Sequence, residues 1–321
     1  MSSTPPALSL QPVNVALVQL GGIGRDKTHN LTHAADLVRR AVHESSDKVG
    51  MVVLPECFNS PYSVNSFGEY AESFSGLFDK VKRGGARWPI DNENQSSPVT
   101  LSGDALSASP SLAMLSGVAK ELGIVLVGGS IPERDADNKV YNTSCVFDRE
   151  GRVVSIHRKL HLFNIDIPGK MTFQESQTLT PGNTVTIFDC EYGRFGLGIC
   201  YDIRFPENAQ IASRRGAGVM LYPGAFNTTT GPLAWELLLR ARAVDNQVYT
   251  IGCSPARPPE GYPAWGHSSV VDPLGRVVAT TEEKEHIVYV SISPDVVRDI
   301  RSTVPISTQR RFDVYADVSQ V

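Results

Sequence analysis

An apolar strand, an amphipathic helix and a second apolar strand follow one another near the start of the chain, and this order restricts the fold most. Residues 13–20 (VNVALVQL) and 51–56 (MVVLPE) are almost continuously apolar, which is typical of buried strands. The segment 27–44 between them carries apolar residues at helical spacing: Leu31, Ala34, Leu37, Val38, Ala41 and Val42. This order predicts a layered α/β protein.

The rest of the chain continues in the same style. Two runs, 142–148 and 151–159, predict a hairpin around residues 149–151. Further strands are predicted at 124–130, 185–189, 194–199, 218–222, 247–252, 267–272, 276–280 and 286–291, and further helices at 111–121, 206–215, 232–243 and 294–303. No change of composition marks a linker. We therefore expect one large domain over residues 13–316, with a core of two mixed sheets.

Three segments break this pattern. Residues 78–110 contain KRGGARWP, DNENQSSP and SGDALSASP, which are rich in Gly, Pro, Ser and Asn and have no apolar period. They predict a long, mobile surface loop that does not contribute to the core. Residues 1–12 are expected to be a flexible N-terminal tail, and residues 317–321 a C-terminal tail.

The charge and the cysteines of the chain argue against several classes of protein. A formal net charge of −4 and a pI of about 6.0 speak against a general electrostatic hold on nucleic acid or on an anionic membrane. No apolar run approaches the roughly 18 residues that span a bilayer. The five cysteines are far apart and form no CxxC pair, which is typical of a reducing compartment. We expect a cytoplasmic protein; the N-terminus is not Arg-rich, which argues against a mitochondrial location but leaves it open.

Cys200 lies where an apolar strand gives way to a helix, in the stretch GLGICYDIRFPE at 196–207. The ends of strands that meet loops are the usual place for active sites in α/β proteins. Backbone N–H groups at such a turn stabilise a thiolate and hold an oxyanion, which suits a nucleophile. The alternative is a small core residue, because free cysteine is commonly buried.

Glu56 and Lys159 are the ionisable residues that could assist such a nucleophile. Glu56 ends an apolar strand, so we expect partial desolvation to raise its pKa and to suit it to proton transfer near neutral pH. Lys159 follows a β-branched strand and precedes several apolar residues, a setting in which its ammonium group can point into a cleft. The alternatives are a solvated loop glutamate and a surface lysine with a partly buried stem.

Three other patterns are weaker. His157 and His161 suggest a metal site, but positions four apart on a strand are about 13 Å from each other, too far for one ion. GGIGRDK after the first strand has Lys27 where a dinucleotide-binding loop needs its third glycine, so we expect a plain turn. A Cys-His-Glu triad would need an acid beside a downstream histidine, yet Ser-Ser-Val follows His267. We therefore predict neither a metal nor a cofactor.

Taken together, LPE at 54–56, HRK at 157–159 and GICYDIRFPE at 198–207 resemble the three signatures of the nitrilase superfamily, in the same order and with the same long spacings. The resemblance runs from about Val13 to Ala316. It is closest to the ω-amidase branch in stretches such as ECFNSPY, FQESQTL, YPGAFNTTTGPLAWELL, RAVDNQVY, SPAR and WGHSSVVDP. Two features depart from that branch. Asn164 stands where relatives usually have aspartate, and the predicted loop described above is longer than expected.

The resemblance implies a fold and a reaction. The superfamily fold is an α-β-β-α sandwich, which becomes an extended sandwich in a homodimer. ω-Amidases hydrolyse the terminal amide of 2-oxoglutaramate or 2-oxosuccinamate and release ammonia. At the matching positions, Cys200 is the nucleophile and Glu56 the general base and acid. Lys159 stabilises the oxyanion together with the Tyr201 backbone N–H, and Glu175 orients the lysine and the substrate.

The substrate carboxylate of an ω-amidase needs a cation near the amide. Arg204 lies four residues after the nucleophile, and its planar guanidinium suits a bidentate carboxylate contact. The alternative is a structural arginine paired with Asp202 or Glu207. Tyr62 and the Phe226 backbone match substrate-lining positions of the branch.

Other functions stay open from the sequence. Another amidase of the superfamily, acting on deaminated glutathione or an N-carbamoyl compound, would carry the same motifs. A catalytically silent binding or scaffold protein is a second alternative, although such a protein need not keep all four catalytic side chains. The helix at 232–243 supports a homodimer, because it keeps apolar residues around much of its circumference: Trp235, Leu237, Leu238, Leu239 and Val244.

Overall fold

The computed structural model describes residues 7–74, 77–81, 98–169 and 171–320. In this part of the chain the strands form two mixed sheets and a separate hairpin. The first sheet contains β1 (Val13–Gln19), β2 (Val49–Val53), β3 (Glu72–Ser73), β4 (Val125–Val127), β5 (Ile131–Arg134), β6 (Val140–Phe147), β7 (Val153–Arg158) and β16 (His286–Ile292). The hairpin is β8 (Asn164–Ile167) and β9 (Met171–Gln174), and the second sheet contains β10 (Thr186–Cys190), β11 (Gly193–Leu197), β12 (Val219–Pro223), β13 (Tyr249–Cys253), β14 (Ser269–Val271) and β15 (Val277–Thr280).

Helices surround these sheets. They are α1 (Lys27–His43), α2 (Phe67–Tyr70), α3 (Leu77–Val81), α4 (Gly103–Ala108), α5 (Pro110–Leu122), α6 (Pro206–Arg214), α7 (Gly231–Asn246) and α8 (Pro294–Thr303), with short 3-10 helices at Glu175–Gln177 and Cys200–Arg204. Among the described residues, no helix is both long and apolar enough to cross a membrane.

The two sheets pack face to face, and helices cover their outer faces. Alternate residues of a strand point to opposite faces of its sheet. In β1, Val15 and Leu17 lie in the core between the sheets, whereas Ala16 and Val18 pack with residues of α1 and α5. Strand β12 divides its side chains in the same way, with α6 and α7 on the outside. Burial on both faces explains why central strands such as β1 and β12 are mostly apolar, and this layered packing confirms the α-β-β-α sandwich.

The strand order brings several loops to one place. The first sheet has the order β16-β1-β2-β4-β6-β5-β3, with β7 against β6, and the second has β10-β11-β12-β13-β14-β15. Strands β1, β2 and β4 are parallel, as are β11, β12 and β13. The loops after β2 and β12 meet, because the Ala225 N–H donates a 2.8 Å hydrogen bond to Glu56. The carboxyl ends of the central strands therefore share one side of the sandwich, where ligands of α/β folds usually bind.

Most elements predicted from the sequence are confirmed, with ends that differ by a few residues. The helix predicted at 27–44 is α1, which begins after Asp26, and the Asp26 carboxylate accepts a 3.0 Å hydrogen bond from the His29 N–H. The hairpin predicted around 149–151 is formed by β6 and β7. The sequence does not predict β5, β8 or β9, because these four-residue strands mix polar and apolar residues and form no apolar run.

The predicted tail at 1–12 is wrong for residues 7–12, which pack on the second sheet. Leu10 is 2% exposed and forms a β-bridge with Gly193. The chain approaches so closely that a Cβ atom at position 193 would collide with the Ser9 carbonyl. Buried apolar side chains thus anchor this segment, while residues 1–6 lie outside the described residues.

The predicted C-terminal tail is held down as well. Arg214, in α6, forms an ion pair of 2.8 Å with Asp317. Ser319 is 1% exposed. The described end of the chain therefore packs against the helix layer of the second sheet.

The surface loop predicted at 78–110 is wrong at both of its described ends. Residues up to Val81 belong to α3, and α4 begins after Ser102, whose hydroxyl accepts a hydrogen bond from the Ala105 N–H. Leu101 and Ala105 are 8% and 4% exposed and pack in the core beside α5. A few apolar residues are sufficient to anchor these ends, although they are too sparse to show a period. Residues 82–97 lie outside the described part of the chain.

We expect Leu101→Ala to lower the free energy of unfolding by about 2–4 kcal/mol, because it leaves space that the core cannot fully close. Thermal unfolding measures this change as a fall in Tm of several degrees. The matched control is Leu274→Ala, since Leu274 is 47% exposed. It should change stability by less than about 0.5 kcal/mol. Equally small effects at both positions would show that Leu101 does not contribute to the core.

Candidate active site

Glu56, Lys159 and Glu175 form one buried cluster. Their exposures are 2%, 0% and 0%. The Lys159 Nζ atom lies 2.9 Å from Glu56 Oε1 and 2.9 Å from Glu175 Oε1. Glu56 follows β2, Lys159 follows β7, and Glu175 follows β9. The fold therefore brings these predicted site residues together from three separate segments, and the alternative of a surface lysine is wrong.

Hydrogen bonds fix both oxygens of Glu56. Oε1 accepts one from Asn142 Nδ2 at 2.8 Å, and Oε2 accepts one from the Ala225 N–H at 2.8 Å. Burial raises the pKa of Glu56, the positive charge of Lys159 opposes this rise, and the negative charge of Glu175 adds to it. The raised pKa predicted for the Glu56 carboxyl is therefore confirmed, because the end of β2 places this carboxyl group in the protein interior.

Lys159 remains charged in this interior position. Burial alone would lower its pKa, but the charges of Glu175 and Glu56 raise that pKa well above its ordinary value. Glu175 accepts further hydrogen bonds from the Tyr62 hydroxyl and from the Phe163 N–H, each at 2.7 Å. The Tyr62 hydroxyl also lies 3.5 Å from Glu56 Oε1. Tyr62 thus contacts both carboxylates of the cluster.

Cys200 lies at a sharp turn after β11, as the first residue of a 3-10 helix. Its φ of +47° is in the left-handed region, which is uncommon for a residue other than glycine. Strain of this kind is typical of functional residues and of nucleophiles on strand-to-helix turns. Gly224 lies against this turn, since a Cβ atom there would be 3.0 Å from the Cys200 Cα atom. Cys200 is 3% exposed, and its thiol lies close enough to Glu56 for that carboxylate to raise the pKa of the thiol.

The surroundings of Cys200 favour the neutral thiol over the thiolate. Burial raises the pKa of the thiol well above its ordinary value, and Glu56 raises it further, whereas Lys159 opposes the rise. The pKa of Cys200 is thus shifted in the direction opposite to that expected from the sequence, because burial and the neighbouring carboxylates disfavour the thiolate. Glu56 is the nearby carboxylate that could accept the thiol proton.

His157 and His161 both contact Asp202, close to the nucleophile. His157 Nε2 lies 3.1 Å from Asp202 Oδ2, and His161 Nδ1 lies 2.8 Å from Oδ1. The wide separation of the two histidines predicted from strand geometry is wrong, because β7 ends before His161. Burial would raise the pKa of Asp202, but the two histidines hold it well below its usual range. Asp202 also accepts a 2.9 Å hydrogen bond from the Ile199 N–H, so it ties the loop after β7 to the turn after β11.

A small cavity of about 10 Å³ opens beside the thiol. Its lining residues are Phe163, Cys200, Tyr201, Arg204, Ala225, Phe226, Thr230 and Tyr262. Arg204 stacks on aromatic rings there, with its guanidinium carbon 5.1 Å from the centre of the Phe226 ring and 5.7 Å from that of Tyr201. Three of the predicted substrate-binding residues therefore lie on one cavity with the candidate nucleophile, while Tyr62 does not.

Arg204 has no ion pair within the described part of the chain. Asp202 is occupied by the two histidines, and Glu207 is exposed and does not contact the guanidinium. The alternative of a structural arginine paired with one of these acids is therefore wrong. A charged guanidinium without a partner, next to a thiol, is suited to an anionic ligand.

Some residues of the site could not be identified from a motif or pattern in the sequence. Tyr262 lines the cavity and donates a 2.7 Å hydrogen bond to the Ala225 carbonyl, yet it lies in a loop without a motif. Asn142 is an ordinary strand residue until Glu56 is brought beside it. Asn164, the departure from the branch, is exposed in β8 and accepts a hydrogen bond from the Ser176 N–H, away from the cavity.

Comparison with known proteins gives the family. Residues 14–302 match the carbon-nitrogen hydrolase family. The chain is 48% identical to the omega-amidase NIT3 of Saccharomyces cerevisiae over 96% of this chain and 97% of that relative. It is 46% identical to the omega-amidase NIT2 of Homo sapiens over 94% and 96%. The crystal structure of Saccharomyces cerevisiae Nit3, a member of branch 10 of the nitrilase superfamily, matches with a TM-score of 0.79 at 44% identity, covering 96% of this chain and 100% of that one. The chain therefore belongs to the carbon-nitrogen hydrolases of the nitrilase superfamily.

Proposed function

We propose that this chain is an ω-amidase, which hydrolyses the terminal amide of 2-oxoglutaramate or 2-oxosuccinamate to the 2-oxo dicarboxylate and ammonia. The observation that carries the proposal is a single cavity lined by the Cys200 thiol and by the unpaired guanidinium of Arg204. The thiol suits the amide end of such a substrate, and the guanidinium suits its carboxylate. The omega-amidases of yeast and human, 48% and 46% identical to this chain, support the same reaction.

Acylation begins with transfer of the Cys200 thiol proton to the nearby carboxylate of Glu56. The sulfur attacks the amide carbon while Glu56 takes the thiol proton, which the raised pKa of that carboxyl favours. Glu56 then gives the proton to the nitrogen, the carbon–nitrogen bond breaks, and ammonia leaves a thioester on the sulfur. Water attacks the thioester in the second half of the reaction, with Glu56 again acting as the base, and the thiol is restored.

Lys159 provides the positive charge for the oxyanion in both steps. Its ammonium group is buried and fixed by two carboxylates, so no solvent has to reorganise when negative charge forms on the carbonyl oxygen. The Tyr201 backbone N–H, one residue after the nucleophile, is the proposed second donor. Glu175 keeps the ammonium group in place, and Tyr62 in turn holds Glu175.

Substrate binding requires the cavity to widen. Its volume of about 10 Å³ admits roughly one water molecule, far less than a dicarboxylic monoamide. Arg204 and Tyr201 are only partly buried, so their side chains can move without disturbing the core. Phe226 lies beneath the guanidinium and limits the positions in which Arg204 can meet a carboxylate.

Arg204→Met should lower kcat/KM for a 2-oxo acid amide by about 30- to 1,000-fold, equivalent to about 2–4 kcal/mol, because the substrate charge loses its partner. An uncharged amide of similar length should lose much less. Initial rates of ammonia release on both substrates measure the difference. The same panel should show weaker activity on N-carbamoyl compounds and on deaminated glutathione.

The matched control for this change is Arg39→Met, since Arg39 lies on the surface of α1 and pairs with Glu121. Its activity on every amide should equal that of the unmodified protein. Equal losses on the charged and the uncharged amide in Arg204→Met would make this arginine a structural residue.

We also propose a homodimer formed through the outer face of α7. Leu233, Leu237 and Val244 are 76%, 64% and 48% exposed and lie on one stripe of the helix. The opposite face of α7 packs on the second sheet through Trp235 and Leu239. Large apolar side chains exposed along one side of a helix are typical of an interface.

Light scattering of the unmodified chain should give twice the monomer mass of 34.9 kDa. Leu237→Arg should shift the population toward the monomer, because the interface would then bury an unpaired charge. Val278→Arg serves as the control, since Val278 is 46% exposed on β15. A monomer mass for the unmodified chain at micromolar concentration would contradict the dimer.

We propose a cytoplasmic location. Cys57, Cys145, Cys190, Cys200 and Cys253 are all free thiols, as is usual in a reducing compartment. Cell fractionation distinguishes this location from a mitochondrial one.

A further inference from the structure

A second and larger cavity adjoins Glu56. This space, the Glu56 chamber, has a volume of about 170 Å³ and is lined by Glu56, Tyr62 and Tyr262 among others. Tyr262 also lines the small cavity beside Cys200, and its ring centre is 4.4 Å from that of Tyr62. Glu56 and Tyr262 line the chamber, while Cys200 and the same Tyr262 line the small cavity, so the two spaces approach each other at Tyr262.

The two spaces differ in charge. The Glu56 chamber is lined by the carboxyl groups of Glu56 and Glu260, and none of its lining residues in the described ranges is Lys, Arg or His. The small cavity beside Cys200 has the guanidinium of Arg204 and no carboxyl group among its described lining residues. An anionic acyl chain is therefore favoured on the Arg204 side. A small neutral or cationic molecule, such as water, ammonia or ammonium, is favoured in the Glu56 chamber.

Ser60 offers a polar contact inside the chamber. It lines this space and is 1% exposed, and its hydroxyl has no hydrogen-bond partner among the residues that the structure describes. A buried polar group without a partner is unfavourable, and its pairing with a small polar molecule removes that cost. Both water and ammonia can donate to this hydroxyl or accept from it. The chamber has room for several molecules of that size.

We propose that the Glu56 chamber is the route by which ammonia leaves the site and water reaches it, while the acyl chain stays on the Arg204 side. This inference rests on the thioester reaction proposed above. Once Cys200 carries the acyl group, the small cavity is occupied, and ammonia and water need another path. Glu56 adjoins that path, and it is also the group that exchanges protons with both molecules.

The bond changes of the two half-reactions fit this route. In the first, the sulfur–carbon bond forms and the carbon–nitrogen bond breaks, while the thiol proton passes through Glu56 to the nitrogen. Neutral ammonia is therefore released beside the chamber. In the second, a water oxygen bonds to the carbonyl carbon, a water proton moves to Glu56, the carbon–sulfur bond breaks, and the sulfur regains its proton from Glu56. No oxidant or further reactant is needed.

The test is to fill the chamber without changing the site residues. Ile23 lines the chamber, is only partly buried, and does not line the cavity beside Cys200. Ile23→Trp should slow hydrolysis of the thioester at least about tenfold, seen by quenched mass spectrometry as accumulation of the acyl-enzyme from a dicarboxylic monoamide. Added hydroxylamine competes with water for the thioester. The yield of hydroxamate in Ile23→Trp, relative to the unmodified protein, should fall more with the bulky O-benzylhydroxylamine than with hydroxylamine itself.

Two controls separate this route from a general loss of structure. Ile306→Trp makes the same change at another partly buried loop position, and it should leave thioester hydrolysis within about twofold of the unmodified protein. Alkylation of Cys200 by iodoacetate reports access of an anion from the Arg204 side, and its rate should also stay within about twofold in Ile23→Trp.

Ser60→Val is a second test of the route. It removes the chamber hydroxyl with little added volume and should slow hydrolysis of the thioester about threefold. It keeps the inference testable where Ile23→Trp does not fold.

The outcomes distinguish the inference from the proposed function. Unchanged thioester hydrolysis in both Ile23→Trp and Ser60→Val would overturn the route and leave the ω-amidase proposal intact. A parallel loss of iodoacetate alkylation in Ile23→Trp would make the chamber the path of the substrate, which also overturns the inference. If the unmodified protein forms no acyl-enzyme at all, the proposed reaction itself is wrong.

Discussion

Cys200→Ala should abolish turnover of every amide, with a loss of at least about four decades, because the reaction has no other nucleophile. The fold should remain, since the change removes one sulfur atom and alanine adopts the same φ at a similar cost. Circular dichroism and thermal unfolding should place the Tm within about 3 °C of the unmodified protein. Ammonia release measures the activity.

Cys145→Ala is the matched control for this change. Cys145 is 3% exposed, like Cys200, but it lies in β6 and packs in the core beside the outer helices. It should keep full activity and lose some stability. Residual activity of Cys200→Ala within about tenfold of the unmodified rate would remove Cys200 from the mechanism.

Glu56→Gln should lower kcat by about two to four decades, the usual contribution of a positioned acid–base group. The neutral amide cannot take the thiol proton, and the Cys200 thiol, whose pKa is raised by burial, would stay protonated. In single-turnover measurements the loss should appear already in formation of the thioester.

The pH profile gives a second measurement on the same pair of proteins. The base form of Glu56 is lost as pH falls through its folded-state pKa, which burial raises above the ordinary value. The rate of the unmodified protein should therefore decline on the acid side at a pH above the usual carboxyl range. Glu56→Gln should lack this decline, and an identical acid limb in both proteins would show that another group carries the proton.

Glu72→Gln controls for the loss of a buried carboxylate as such. Glu72 is 4% exposed and is held by Ser109 and Ser111, and it does not contact the active-site cluster. This variant should be less stable, because serine donors lose a charged acceptor. Its kcat and its acid limb should stay those of the unmodified protein.

The sequence could predict the layers of the fold because their physical cause is local. A strand buried on both faces is apolar at most of its positions, and β1 and β2 show this directly. Helices such as α1 show their buried side as a period in the sequence. The residues at strand ends, Glu56 and Cys200, were candidates for the same reason, since a polar side chain after an apolar run stands out.

The ends of the 78–110 segment show where this reasoning fails. Their apolar residues are few, and Leu101 is buried only because α5 and the first sheet lie beside it. Apolar residues must repeat at helical spacing over several turns before the sequence alone predicts a buried helix. In the folded protein, one or two buried side chains are enough to anchor a short helix.

The sequence by itself determined the order of the longer strands and helices, the residue types at the strand ends and the motifs that imply the sandwich class. Only the tertiary structure decided what those residues face. The pKa values of Glu56 and Cys200 depend on Lys159 and Glu175, which lie far away along the chain. Among the described residues, Arg204 has no ion pair because two histidines already pair with Asp202. Electrostatic energies fall with distance in space and grow as water is excluded, and neither quantity can be read from separation along the chain.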